Sequence, residues 1–376
     1  VERACISARQ LFMLAILFEH GSAMVIPLGV DAKQDVWLAI LCGMVLGGGL
    51  LFVYYRLFTY YPRLPLTSYS QRIVGSFFGR VLGLIYVLYF LYIAARVLRD
   101  FGELLLTFAY PETPLFILNA VMMLTVMYAV YKGIEVIARA SQLFFFSLYW
   151  ILILGFVLII IAGAVDLHRL QPILEEGWGP IFHVVFTQTL YVPFGEMIVF
   201  TMIFPYLQKQ EKVMKAGFLA LFLSGINLAI IMAMNIAVLG ADMVSRSTFP
   251  LLNTIQEIRV ANFLERLDVL FMIALIVGGF FKVGVFFYAG VIGAADLFQI
   301  KEYQRLVYPL GISVLFLSIA IASNFAEHIK EGLQIVTIYM HIPLQIVIPV
   351  LLLLIAMLRQ GKRGRKPQGA REQRTT

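Results

Sequence analysis

Leu11-Phe12-Met13-Leu14-Ala15-Ile16-Leu17-Phe18-Glu19-His20-Gly21-Ser22-Ala23-Met24-Val25-Ile26-Pro27 is an apolar run interrupted near its centre by a carboxylate, an imidazole, a glycine and a serine. A plain membrane helix has no use for that succession at mid-depth. It suits a helix that unwinds there, because irregular backbone survives inside a bilayer only where protein or a polar cavity covers it. A second stretch has the same character: Thr187-Gln188-Thr189-Leu190-Tyr191-Val192-Pro193-Phe194-Gly195-Glu196 lies between two apolar arms. Each couples Gly or Pro to an ionisable side chain. The competing reading makes Gly21 and Gly195 packing glycines and Pro193 a mere kink.

Outward from these two stretches the chain continues in the same solvent. It is 61% hydrophobic and 14% charged, with mean hydropathy +0.89, where a soluble domain has about 45–50% apolar and about 25% charged residues. That excludes a soluble enzyme, a nucleic-acid-binding domain and a disordered scaffold. Ten spans are expected near 9–28, 36–58, 81–108, 115–131, 142–164, 181–204, 216–240, 268–295, 306–323 and 335–358. The runs do not alternate as barrel strands would, so the fold class is an all-α membrane protein. Residues 1–358 form one transmembrane domain and 359–376 a basic tail expected to be disordered. The breaks fall in spans 1 and 6, corresponding members of two five-span halves. Such pairing points to a five-plus-five inverted repeat with its site at the discontinuous helices.

Lys and Arg set the orientation. With the N-terminus inside, the cytoplasmic segments hold 20 basic residues and the outer loops 6 (Lys33, Arg169, Arg246, Arg259, Arg266, Lys330). An even number of spans places both termini in the cytoplasm. Nearly all of the net charge of +7 sits in the tail, which reads as a topology anchor against the lipid bilayer and carries no argument for nucleic acid. The first span begins about ten residues in and lacks an A-x-A cleavage site, so it is expected to remain uncleaved. Cys5 and Cys42 suit neither a disulfide framework nor a thiolate metal site.

The half-helix expected to begin near Ser22 would turn free N–H groups toward an anion, and the one ending near Tyr191 would turn carbonyls toward a cation. Together they suit a zwitterion, meaning a small amino acid. The candidate ligand-binding residues are Glu19, Gly21, Ser22, Ala23, Tyr191, Pro193, Phe194, Gly195 and Glu196. Further intramembrane charges are Arg96, Arg99, Asp100, Glu103 and Lys282, each costing about 3 kcal/mol unless paired. The four in span 3 share one helical face, extended by Tyr89 and Tyr92, and Arg96–Asp100 and Arg99–Glu103 are spaced to neutralise each other. They form either an internal ion ladder or part of the site. Lys282 has no partner within its own span and must find Glu19, Glu196, backbone carbonyls at a break or a span 3 carboxylate. It is either a fixed cation replacing a coupling ion or half of a structural salt bridge. His20 either lines the cavity or makes a structural hydrogen bond. The five histidines show no metal-ligand spacing and no serine stands in a nucleophile elbow, so no enzyme activity, metal or cofactor is expected. Gly43/Gly47 and Gly75/Gly79/Gly83 read as packing residues.

Particular blocks resemble a known family. Ile6-Ser7-Ala8-Arg9-Gln10-Leu11-Phe12, Gly21-Ser22-Ala23, Ala32-Lys33-Gln34-Asp35, Ala94-Ala95-Arg96-Val97-Leu98-Arg99-Asp100-Phe101-Gly102-Glu103, Phe194-Gly195-Glu196, Phe204-Pro205-Tyr206, Glu265-Arg266-Leu267-Asp268 and Ala295-Asp296-Leu297-Phe298 are similar to the permease-like B subunits of spore germinant receptors. The resemblance implies a member of the amino acid–polyamine–organocation superfamily, resident in the inner membrane of a bacterial spore. It also implies work beside an A subunit and a C lipoprotein, and recognition of a nutrient, typically an amino acid. Ala23 stands where transporters of that superfamily more often carry glycine. Three functions are open: a germinant-sensing subunit, a proton-coupled amino acid permease, and a ligand-gated water or ion conduit.

Overall fold

A computed structural model describes residues 4–257 and 268–363. Arg259, Arg266, the Glu265–Leu267 part of the resembling block and the tail from Gly364 lie outside them. The described chain folds into helices α1 (Ala8–Ala23), α2 (Val36–Tyr60), α3 (Leu66–Val74), α4 (Ser76–Phe108), α5 (Leu115–Lys132), α6 (Ile134–Ile161) and α7 (Trp178–Val184). After a broken segment come α8 (Val213–Leu239), α9 (Ala241–Arg246), α10 (Pro250–Gln256), α11 (Asp268–Leu297), α12 (Gln304–Ala320), α13 (Phe325–Glu331) and α14 (Ile348–Arg363).

Eight helical segments among the described residues are long and apolar enough to cross a bilayer. The two expected spans that fall short are the first and ninth. With 16 residues in α1 and 17 in α12, they reach about 24 and 26 Å at 1.5 Å per residue, against a core of about 30 Å. The fifth span starts earlier than expected, at Ile134, because Gly133 is the breaker and Glu135 and Arg139 pair along the first turns. Large apolar side chains such as Phe77, Leu88, Val121 and Trp150 are exposed around the outside, as a lipid-facing surface requires.

Here α1 is an inner helix, packed on α6, α8 and α11 and buried from Met13 to Ala23. It crosses α11 at a pair of glycines. A Cβ on Gly278 would lie 3.4 Å from Gly21 Cα, and one on Gly21 would lie 2.8 Å from Lys282 Cβ. Small residues at such a crossing let backbones approach closely. The α2 glycines do the same for the broken segment: Gly43 faces Thr189 and Gly47 faces Phe194. Gly79 rests on the backbone of α3 and Gly83 on Leu297, so the packing reading holds for these four; Gly75 meets no neighbour and instead supplies the turn between α3 and α4 at φ 97°.

Contacts between distant segments define two faces. On one, Ile6 N–H donates to Tyr206 O and Gln208 N–H to Ile6 O, a short parallel bridge joining the start of α1 to the end of the broken segment. Nearby, Thr67 and Ser68 hydroxyls donate to Asp296. On the opposite face, Lys33 pairs with Glu176, Asp35 accepts from Leu174 N–H, and Arg169 donates to Val238 O.

Candidate functional site

The first interruption is not where the sequence places it. Helix α1 runs unbroken through Glu19, His20, Gly21, Ser22 and Ala23 and ends only at Met24. Gly21 costs a helix about 1 kcal/mol relative to alanine, but its tight crossing with α11 needs a residue without a side chain. What stops the helix is Pro27, which disfavours helical geometry before it, followed by Gly29 at φ 75°. Val25 and Ile26 N–H groups both donate to Ser22 O in the last turn. Ser22 therefore lies at a helix C-terminus, where carbonyls rather than N–H groups are exposed. The anion cradle expected at Ser22 is absent, since no half-helix begins there.

The second interruption lies where expected. After α7 the chain widens into a π-helical turn (Val185–Thr189), breaks at residues 190–193 with a cis Val192–Pro193 bond, and resumes as a 3-10 helix (Phe194–Met202). Its carbonyls are not left free. Leu190 O accepts from Gly195 N–H, and Tyr191 O and Pro193 O from Glu196 N–H. Gly195 fits only because it lacks a Cβ, which would meet Gln345 Oε1. Phe194 points into α2, so its role is packing.

Among the four partners open to it, Lys282 takes Glu196. Its Nζ lies 2.5 Å from Glu196 Oε2, with both side chains buried. The approach is off the hydrogen-bond axis, so the contact is a charge pair. The ammonium also stands 5.2 Å from the centroid of the Phe18 ring. Glu19 is fully buried and neither carboxyl oxygen has a hydrogen-bond partner among the described residues. The charges of Lys282 and Glu196 both act on it. His20 turns the other way: its Nδ1 meets Ile16 O at 2.8 Å and its Nε2 faces Asn227. The structural reading of His20 holds.

Span 3 forms a cross-helix clamp rather than an internal ladder. Arg99 and Glu103 do pair, at 3.3 Å, but Arg99 also donates to Ile319 O and Ala322 O at the end of α12. The expected Arg96–Asp100 pair is not formed. Asp100 Oδ1 instead lies 2.9 Å from His328 Nε2 on α13. Arg96 donates to His328 O and to Tyr92 OH. Spacing along one helix shows which charges can meet, whereas docking of α13 decides which do.

A small cavity of about 50 Å³ lies between these elements, lined by Ser22, Arg96, Asp100, Glu196, His328 and His341 among others. That is room for about three waters. Above it, on the face carrying Asp31, Arg246 and Lys330, a vestibule of about 520 Å³ opens. Ile329 and Leu333 border both spaces. A larger groove lined by Leu118, Val121 and Phe280 is almost wholly apolar and open to the lipid side, so it offers no charged anchor.

Sequence reasoning passed over the wall opposite the break. From Gly332 to Val347 the last span is π-helical around Pro343, which has no N–H for an α-helical bond. The loosened carbonyls of Leu344 and Gln345 accept from Tyr86 and Tyr54 hydroxyls. Tyr89 OH meets His341 Nδ1 at 2.8 Å and accepts from Gln345 Nε2. Tyr191 stacks on His341. An intramembrane His two residues before a Pro was a legible signal for this wall.

Residues 5–326 match the Spore_permease family, described as Spore germination protein. The chain is 48% identical over 363 residues to Spore germination protein KB of Bacillus subtilis, covering 96% of this chain and 97% of the relative. The fold resembles that of MhsT, solved in complex with L-phenylalanine: TM-score 0.71 at 13% identity, covering 96% of this chain and 90% of that one. It also resembles the nucleobase–cation symporter Mhp1 in a closed conformation, with TM-score 0.62 at 14% identity, covering 87% and 74%. Both likenesses place the chain among transporter folds. This multi-pass, all-helical membrane protein, with a small cavity lined by charged side chains beside its broken sixth span, belongs to the Spore germination protein family.

Proposed function

We propose that the chain is the nutrient-binding membrane subunit of a spore germinant receptor. It takes a small zwitterion, an amino acid, in the cavity between the end of α1 and the second break. The observation that carries this is the vestibule lying against a small cavity lined by charged side chains. A solute arriving from the vestibule meets Ile329 and Leu333 first and the polar lining next. The 48% identical relative named for spore germination and the L-phenylalanine bound in the MhsT structure support the class of ligand and the biological setting.

In this reading Ser22, Tyr191 and Glu196 contact the ligand. Gly21 and Gly195 provide the close approaches that shape the pocket, while Ala23, Pro193 and Phe194 fix the backbone around it. Lys282, held by Glu196 against Phe18, is a fixed cation in place of a coupling ion, with Glu19 beside it. The two five-span halves form an inverted repeat in the inner spore membrane, with both termini in the cytoplasm. An A subunit and a C lipoprotein read the change of state. A ligand shifts that equilibrium only by binding one state better, and closure around the zwitterion supplies the difference.

A second reading has one specific support: an unpartnered buried carboxyl at Glu19 beside the Lys282–Glu196 pair is an arrangement a proton-coupled permease would use. Uptake of labelled amino acids into vesicles containing this chain separates the two. Saturable binding without accumulation is expected; accumulation driven by a proton gradient would replace the receptor reading with the permease.

A further inference from the structure

His328 makes two polar contacts at one point. Its ring N–H donates to the buried carboxylate of Asp100, and its main-chain carbonyl accepts from the buried guanidinium of Arg96. An α-amino acid carries the same pair of functions, a cationic donor and an anionic acceptor a few ångströms apart. We propose that His328 occupies, in the ligand-free protein, the two anchor points of a zwitterionic ligand, and that amino acid binding displaces it and frees α13.

Four observations carry this, given the reading above that a nutrient enters this cavity. Arg96, Asp100 and His328 all line it. The cavity of about 50 Å³ admits no amino acid unless something leaves, and His328 is next to Ile329 on the turn that borders both cavity and vestibule. Helix α1 ends rather than begins at the cavity, so it turns carbonyls toward it and the carboxylate is best met by a side-chain cation. Lys282 is spent on Glu196 and Arg99 on α12 carbonyls, whereas Arg96 uses two of its five N–H donors, on Tyr92 and His328. Its remaining donors suit a forked bond to a carboxylate. Gly332 leaves room beside it, where a Cβ would stand 2.5 Å from Nη2.

The exchange is balanced contact for contact. The ligand carboxylate takes Arg96 from the His328 carbonyl, and the ligand ammonium takes Asp100 from the imidazole. Since α13 runs on without a gap into the π-helical stretch, its release moves the cavity wall and the vestibule floor together. Binding thereby becomes a change that a neighbouring subunit can read.

The test uses the full chain in lipid nanodiscs and the twenty standard L-amino acids, with propionate and n-propylamine as half-ligand probes. At least one amino acid is expected to bind, and neither half-probe at the same concentration. Arg96→Met and Asp100→Asn each weaken that binding about a hundredfold, the loss of a charged anchor. His328→Ala tightens it about tenfold by removing the ring that competes for Asp100, while the main-chain carbonyl at Arg96 stays, and His328→Gln, which keeps an N–H donor for Asp100, tightens it less. Hydrogen exchange of residues 325–333 in the unaltered chain speeds up with ligand, a readout that stands if His328→Ala does not fold. Weaker binding in His328→Ala, unchanged exchange at 325–333, or a response confined to uncharged solutes overturns the proposal. Loss of binding in Gly195→Leu with none in Arg96→Met or Asp100→Asn overturns this inference alone. Absence of any amino acid binding overturns the proposed ligand as well.

Discussion

Neutralising Glu19 and Glu196, singly and together, probes the charge centre most directly. Lys282 Nζ and Glu196 Oε2 are 2.5 Å apart, with side chains 0% and 3% exposed. At an effective dielectric constant of about 20 their attraction is about 7 kcal/mol. Desolvation of several kcal/mol per ion removes most of that. What an experiment reads is the cost of stranding one charge, about 3–5 kcal/mol. Glu19 changes the outcome, because its carboxyl has no other partner among the described residues and follows Phe18, whose ring faces the ammonium. When Glu196 is neutral, Lys282 turns to Glu19. Glu19→Gln is therefore expected to cost under about 0.5 kcal/mol, as for a residue in no network. Glu196→Gln costs about 1–2 kcal/mol for the poorer contact, and the double variant about 3–5 kcal/mol. Equilibrium unfolding in mixed SDS–detergent micelles, followed by circular dichroism, measures all three. Losses that add to within about 0.5 kcal/mol, or a full stranding penalty in Glu196→Gln alone, would refute Glu19 as the reserve partner.

Other substitutions test the surrounding geometry. Gly21→Leu, which drives a side chain into Lys282, and Gly195→Leu, which drives one into Gln345, should each abolish ligand binding while leaving membrane insertion intact; normal binding in both would remove the site from this cavity. Tyr54→Phe and Tyr86→Phe each leave a buried π-helical carbonyl without its donor and should lose about 1–3 kcal/mol in the same unfolding assay. Arg99→Met strands Glu103 and the α12 carbonyls and should cost about 3–5 kcal/mol. A loss below about 1 kcal/mol there would mean that water, rather than Arg99, satisfies the end of α12.

Much of the fold is legible because the bilayer writes it in one dimension. Hydropathy and breakers locate the long spans, and Gly195 with Pro193 locates the second interruption correctly. The first is missed by a few residues for a physical reason. Gly21 looks like a helix breaker in the sequence, but its glycine serves the crossing with Gly278 and Lys282, a contact between segments about 260 positions apart. The breaker that acts is Pro27, and this reverses the polarity of what Ser22 presents. The clamp fails to show itself in the same way. Arg96 and Asp100 have the spacing of a pair, yet each finds His328, and no rule of helical periodicity reports which helix docks against which. Lys282 is legible as a charge without a partner in its own span, and Glu196, at the second break, supplies that partner. Histidines 328 and 341 lack metal-ligand spacing, so nothing in the sequence reports their contacts with Asp100, Tyr89 and Gln345.

The bridge between Ile6 and Leu207 has a consequence for how such a protein serves a dormant cell. It ties the start of α1 to the end of the broken segment on the face where Asp296 also accepts from Thr67 and Ser68, while the hollow opens from the other side. A molecule fastened this way receives solutes through one porch, and any passage across the barrier would first require the far fastening to part.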